Sequence, residues 1–539
     1  MKNEQGYTLL TVMLIILVFT TLGAVLLTVT IGSTQRTELR EDTIVEDSDA
    51  IRAIEQGTAI LKYQVQNNQF PSPGPLYQNE LDTIIAALSS EGLNIDITDK
   101  SSGYDISLNH DYTRVYEIRS SGYNEDYSKL VYITAMPSFL KYAAGARDEL
   151  NLHGGMYIDG DVYANQQLNI SNEAKYIYEG SYNTVKNDFP TVSERSRLIL
   201  EGVASSCDHQ SVPGCFETNG NNFTKSIHWQ QRSVEELLSN AFSYQSPTLG
   251  EEADYIDVRL LPTVTSKMKV MDTSFEDTHA EAIAAGASPL TVRGFSSPEE
   301  YESILSADTV LHTENVISTL QSDRNHIFLS DAYLNTSSLS VDQDKWVIVM
   351  GDLILESAAG EPAQISSNII VFGNVIMRGE LAMDSVLYAL GSTTVFNANI
   401  QKISGEGELI LMSRGPLDIA LLNSFSNPTD YTEFPNQLNA FLYTDQDAEI
   451  YSVGSYVYID GGIFSKGTLE FNSFRGDTAE GENDIIFSPS SDGESAFQKS
   501  RLYIRNNQRL FLDKLQALPA VEKLDVIEDS YRRVDQNES

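Results

Sequence analysis

The longest apolar stretch lies near the N-terminus. Residues 7–31 (YTLLTVMLIILVFTTLGAVLLTVTI) form a run of 25 with no charged side chain. A helix of that length would reach roughly 37 Å, enough to cross a bilayer with some tilt. Ile44, Ile51, Ile54, Thr58, Leu61 and Val65 then recur at helical spacing with polar residues between them, so residues 7–70 read as a transmembrane helix extended by an amphipathic one. Pro71-Ser72-Pro73-Gly74-Pro75 ends it. A short helix is expected over 79–88, and strands over 104–108, 114–120 and 129–136. The last two flank a Gly/Asn/Asp turn and read as a hairpin. Residues 71–142 are thus expected to be a small α+β domain.

A different pattern follows. YIDGDVYANQQLNI (157–170) aligns without gaps on YIDGGIFSKGTLEF (458–471), with looser copies at MGDLILESAAGEPAQI (350–365) and FGNVIMRGELAM (372–383). The runs WVIVM, NIIVF, SVLYAL and ELILM lie around them. Short β-rich runs between Gly/Asp/Asn turns predict a β-solenoid-like domain over 143–475, in which stacked rungs share one core. A β-sandwich or jelly roll competes with that reading. Residues 172–324 have another texture, with helical pieces near 233–242 and 297–305, and read as an inserted subdomain projecting from the β core. Residues 476–539 read as an acidic loop and a C-terminal helical segment over 509–534, interrupted by Pro519.

Charge narrows the partners. The 539 residues carry 36 Lys+Arg against 76 Asp+Glu, a net charge of −40. Such a balance argues against nucleic acid, whose phosphates need clustered cations, and against charge-driven docking on an anionic membrane. The −40 sits entirely on residues 36–539, because residues 1–35 hold only Lys2 and Glu4. One membrane span with a short N-terminal stub places the large C-terminal part outside the cell. A secretory signal peptide is the alternative, but the apolar run continues past the small residues Gly23-Ala24.

The start of the chain carries a family resemblance. KNEQG-YTLL is a polar stub ending in Gly6, followed by an aromatic residue, Thr and a leucine-rich run. It resembles the leader of type IV pilins and type II secretion pseudopilins. The resemblance implies a leader over 1–6, cut by prepilin peptidase between Gly6 and Tyr7, and assembly with other pilin-like subunits. The family places Glu at the fifth mature position, where this chain has Thr11. That departure suits a tip or minor position better than a repeated shaft position. The segment RVYEIRSSGYNEDYSKLVYITAM is similar to the small sheet of PilX-like minor pilins. The implied fold class is α+β: a long N-terminal transmembrane helix with a small pilin-like head, then the mostly-β solenoid-like domain with its inserted subdomain.

Candidate chemistry is sparse. Cys207 and Cys215 bracket CDHQSVPGC and read as a disulfide, as free thiols, or with His209 as part of an incomplete metal site. Asp159, Gly160, Asp460 and Gly461 occupy the repeated turns. Asp159 and Asp161 could offer oxygens to calcium, but Gly462 replaces the second in the later copy, and Asp-Gly is ordinary turn chemistry. Glu406 and Glu408 form an acidic pair of the kind a polysaccharide hydrolase needs. Seven histidines are scattered singly, and no G-x-S-x-G, H-E-x-x-H or P-loop occurs. No cofactor or metal is expected. The leading expectation is a non-enzymatic, single-pass surface protein, a minor pilin or tip pseudopilin with an adhesive head and an unidentified surface ligand. A bitopic surface protein outside any filament and a β-helix polysaccharide-active enzyme are the alternatives.

Overall fold

The computed structural model describes residues 12–17, 19–22, 47–67, 75–89, 92–103, 113–120, 127–134, 138–251, 258–334, 336–357, 362–403, 407–420, 424–427, 437–490, 499–507, 524–529 and 531–533. The chain forms two compact units, Met1–Ala135 with Glu522–Ser539, and Met136–Val521. The larger unit is therefore spliced into the smaller one.

The smaller unit has helices over 47–67 and Pro75–Ser89 and an antiparallel sheet. Its strands stand in the order Ile95–Asp99, Thr113–Ser120, Tyr127–Thr134, Asp525–Glu528, with Arg532–Arg533 also on the third. Ala50, Ile54, Thr58, Leu61 and Val65 are buried, one stripe of the first helix. The helix comes close to the sheet at Gly57, where a Cβ would lie 2.3 Å from Ile95 Cδ1. Lys129, with a side chain 6% exposed, is held between Glu55 at 3.2 Å and Glu528 at 2.5 Å. The strand at Ile95–Asp99 was not anticipated, and 104–108 lies outside the described residues. The expected C-terminal helix is corrected: Asp525–Glu528 is a strand, because pairing on the open edge of Tyr127–Thr134 outweighs the local helical pattern. Residues 508–523 lie outside the described residues.

The expected fold class is corrected as well. Among the described residues the protein is mostly β, 45% strand against 20% helix, with a large parallel sheet. Among the described residues no helix is long and apolar enough to cross a membrane, against the long N-terminal transmembrane helix. Of the run 7–31, residues 12–17 and 19–22 are described, and these are helical.

The larger unit winds as a three-faced coil of parallel strands. Ile348 sits opposite Ile370, and Ile370 opposite Tyr388, so each turn of chain lies on the one before. The first face climbs from Thr309–His312 through Trp346–Val349, Asn368–Val371 and Ser385–Ala389 to 462–465, Ala144–Ala146, Val162–Ala164 and Arg197–Leu200. The second runs from Val316–Ile317 through Leu353–Glu356 and Ala448–Ser452 to Leu469–Ser473, Glu149–Gly154, Gln167–Ser171 and Val203–Cys207. The third runs from Ser338–Ser340 through 400–402 and 457–461 to Leu502–Asn506, Tyr157–Asp159 and Thr191–Val192. Inward side chains such as Val347, Ile369, Leu387, Leu411 and Leu442 make one continuous core.

The coils are not stacked in sequence order. The chain joins mid-stack at Ala144–Ala146, winds to one end at Val203–Cys207, and reappears at the other end at Thr309–His312. It then winds back until Leu502–Asn506 fits between 457–461 and Tyr157–Asp159.

The segment that connects the two ends corrects the expected projecting subdomain at 172–324. Both margins of that range, 191–207 and 309–317, carry strands of the parallel sheet. Its helices Leu260–Met268 and Asp277–Ala284 lie on the first face instead of standing away from it. Phe275 and Phe372 have ring centroids 5.9 Å apart, Lys267 Nζ is 4.9 Å from the Trp346 ring, and Lys466 Nζ donates to Val258 O at 2.8 Å. First-face residues that point away from the core, among them Ile348, Ile370, Phe372 and Tyr388, are consequently fully buried. This explains their unbroken apolar runs, since strands covered on both sides lose the polar alternation. Leu353–Glu356 and Leu417–Ala420 on the second face keep it, with Ile354, Glu356 and Asp418 exposed. Where an acidic loop is expected, Gly476–Ala479 and Ile486–Pro489 pair as an antiparallel hairpin.

Candidate functional site

The repeated turns meet on the third face. Tyr458 is paired with Tyr503, and Tyr503 with Tyr157. Their ring centroids are 5.1 and 4.8 Å apart, so stacking follows directly from the spacing of neighbouring coils. The two sequence copies are therefore not neighbours. One coil lies between them, and it is built from two distant pieces of chain. Leu502–Asn506 supplies Tyr503-Ile504-Arg505-Asn506 on the third face. Ala144–Ala146 and Glu149–Gly154 supply the rest, with Ala144 between Ile463 and Val162 and Leu150 between Leu469 and Leu168. It is a third copy of the repeat, cut in two by the chain's path.

The turn residues hold this stack together. Arg505 takes the place of the repeated Asp, and its Nε donates to Asp460 Oδ1 at 3.0 Å. Asp161 accepts from Arg197 Nη2 at 2.6 Å. Gly461 has φ +154°, and a Cβ there would meet Ala440 O at 2.0 Å, so only glycine fits. Gly160 donates its backbone N–H to Ser196 Oγ at 2.9 Å. Lys402 and Glu408 lie beside Asp460. Lys402 Nζ is 2.8 Å from Glu408 Oε1 and 3.9 Å from Asp460 Oδ2, and Asn507 Nδ2 donates to the same Glu408 oxygen.

The second face carries an acidic column that local sequence patterns do not reveal. Glu449 lies opposite Glu470, and Glu470 opposite Asn151. Glu470 is paired with Lys175, which the hairpin Glu173–Tyr178 and Ser181–Lys186 brings over the face. Asn472 Nδ2 donates to Glu470 Oε1 at 2.7 Å. Burial, then the neighbouring Glu470 charge, raises the Glu449 pKa to about 7. Glu470 is held below the usual range despite its burial, by the charge and hydrogen bond of Lys175 and by Asn472. His153 itself is fully buried, which pushes it down to about 3 and keeps it neutral. The Lys175–Glu470 pair ties the hairpin to the face.

The sign of its pH dependence follows. Between the ordinary 4.5 and about 7, folded Glu449 keeps a proton that the unfolded chain has lost. Stability therefore falls as pH rises across that window and levels off above it. Glu470 contributes in the opposite sense, losing its stabilisation only as pH falls below the usual carboxylate range. Urea midpoints of wild type at about pH 5 and pH 8, compared with Glu449→Gln, are expected to show a decline of about 1–3 kcal/mol in wild type that the variant lacks. An identical decline in both proteins refutes the assignment.

The cysteines are joined. Cys207 and Cys215 form a disulfide with Cα atoms 5.7 Å apart. Cys215 N–H donates to Glu173, and Trp229 Nε1 donates to Cys215 O at 2.8 Å. His209 takes no part as a ligand; its backbone N–H donates to Asn172 Oδ1. Among the described residues no three His, Cys, Asp or Glu side chains group as a metal site. Glu408 is buried, and Glu406 lies outside the described residues, as do Gly6, Tyr7 and Thr11. Of the scattered histidines, the fold brings together His312 and His326, whose Nε2 and Nδ1 are 3.0 Å apart.

No protein-family model matches the chain, and no curated protein does. Among solved structures, the crystal structure of the competence-associated pilin ComZ from Thermus thermophilus is a weak neighbour. The match covers 82% of this chain and 88% of that one, at 14% identity and a TM-score of 0.22, a level of likeness that carries no argument.

Proposed function

We propose that this chain is a non-enzymatic, pilin-like surface protein, a minor pilin or tip pseudopilin whose coiled β unit is an adhesive head. The observation that carries this reading is the splice. A small unit of two helices and an antiparallel sheet is interrupted between Tyr127–Thr134 and Asp525–Glu528 by the whole of the larger unit. The leader-like KNEQG-YTLL and the departure at Thr11 support the same assignment. The Cys207–Cys215 disulfide supports an oxidising location outside the cell, and the charge of −40 keeps such a head soluble. Under this reading the partners are prepilin peptidase and other pilin-like subunits.

The N-terminus of the protein tests it. Mass spectrometry is expected to find a start at Tyr7 in cells that contain prepilin peptidase and an uncut leader in cells without it. An uncut leader in both would overturn the pilin-type assignment.

A further inference from the structure

We propose that Lys402 and Asn507 are joined by a self-catalysed amide bond, with Glu408 as its acid–base catalyst. The three residues come from separate parts of the coil. Lys402 ends the strand Thr393–Lys402 on the third face, and Glu408 directly precedes Leu409–Ser413 on the first. Asn507 directly follows Leu502–Asn506 on the third face. One oxygen, Glu408 Oε1, accepts from both Lys402 Nζ, at 2.8 Å, and Asn507 Nδ2. A nucleophilic amine, a carboxamide and a carboxyl able to move protons between them therefore share one point. Glu408 is 7% exposed and Lys402 sits partly buried beside it. Fixing the reactants this way replaces an encounter in solution by a held geometry.

The reaction balances without any co-reactant. Transfer of a proton from Nζ to Glu408 within the ion pair leaves a neutral amine beside a carboxylic acid. The Nζ lone pair attacks Cγ of Asn507, and the Glu408 carboxyl hydrogen-bonds the oxygen that gains charge. A proton from Nζ passes through Glu408 to Nδ2, which already faces that carboxylate. The Cγ–Nδ2 bond breaks, its electron pair leaves with ammonia, and the new Cγ–Nζ bond remains as a secondary amide. One amine and one carboxamide become one amide and one ammonia, with nothing oxidised or reduced. On the third face, coils at Gln437–Leu438 and 457–461 lie between 400–402 and Leu502–Asn506. The bond would therefore strap together several coils of the third face.

Intact-mass and tryptic-peptide measurements on the purified full chain decide the matter. Wild type is expected to weigh less than its sequence by one ammonia, about 17 Da, and to yield a branched peptide joining Lys402 to Asn507. Lys402→Arg and Glu408→Gln are expected to show the full mass, with circular dichroism confirming that they fold. Full mass in wild type overturns the proposal. So does an ammonia loss that persists in Lys402→Arg, which would be ring closure at Asn507 with its own backbone. If a variant does not fold, the presence or absence of the branched peptide in wild type still gives the answer.

Discussion

Ile370→Asp is expected to cost the larger unit about 4 kcal/mol or more, whereas Ile354→Asp is expected to change its stability by less than about 0.5 kcal/mol. Both isoleucines are in parallel strands, and both point away from the inner core. They differ in what lies outside. Ile370 is on the first face, flanked by the inward Ile369 and Val371, and is fully buried. Its cover is the helical segment that also seats Phe275 on Phe372. A carboxylate there must either stay buried in an apolar layer, with the Lys267 ammonium over Trp346 and Tyr388 as its nearest named cation, or push the helices away. Ile354 is on the second face and is 37% exposed, so Asp keeps its water. Urea denaturation of the two variants beside wild type measures the difference. Equal effects would mean that the helical segment is not a structural cover of the first face.

The same contrast explains what could be read from the sequence. WVIVM and NIIVF announce strands because both of their sides are apolar, and LILE announces one by alternation. The helices that cover the first face could not be placed in this way. Their amphipathic pattern shows that they pack on something, but not on which side of the coil. The order of the coils was also hidden. YIDG at 157–160 and at 458–461 is visible as a repeat, but the copy between them begins at Tyr503 and continues at Ala143. Arg505 and Asn506 stand where the repeat has Asp and Gly, so half of that copy is disguised, and the other half is remote in sequence. Glu449 and Glu470 are separated by a full coil and meet only through strand register. Neither residue stands out among 76 acidic side chains. The terminal strand Asp525–Glu528 is not legible locally, because its surroundings favour a helix and its partner strand Tyr127–Thr134 is remote in sequence. The disulfide loop, by contrast, is local, and short spacing was enough to raise it.

Removal of residues 522–539 is expected to unfold the smaller unit while the coiled unit stays folded. The strand Asp525–Glu528 fills the edge of Tyr127–Thr134, pairing Val131 with Glu528 and Thr134 with Asp525. It also contributes the buried Leu524 and Val526. Its loss leaves the Lys129 ammonium, almost wholly buried, with Glu55 alone. Losing one of its two partners, itself partly exposed, costs about 1–2 kcal/mol, and the lost strand pairing and apolar burial add to that in a unit with little stability in reserve. Hydrogen exchange should show lost amide protection over 127–134 and 113–120, with Ile348, Ile370 and their neighbours as protected as before. Retained protection at 127–134 would mean that the C-terminal strand is not needed to close the sheet. Glu528→Gln keeps the strand and removes only the charge, so it should fall between wild type and the truncation. The dependence has a kinetic side. Lys129 and Glu528 are 399 residues apart, and closing so long a loop in an unfolded chain carries a large entropy cost. Folding of the coil removes most of it, because Ala143 and Asn506 then both lie against Gly160, where a Cβ would be within 2.9 and 2.5 Å of theirs. The coil is therefore expected to form before the small sheet closes, and full-length protein should gain protection at 127–134 after protection at the first face.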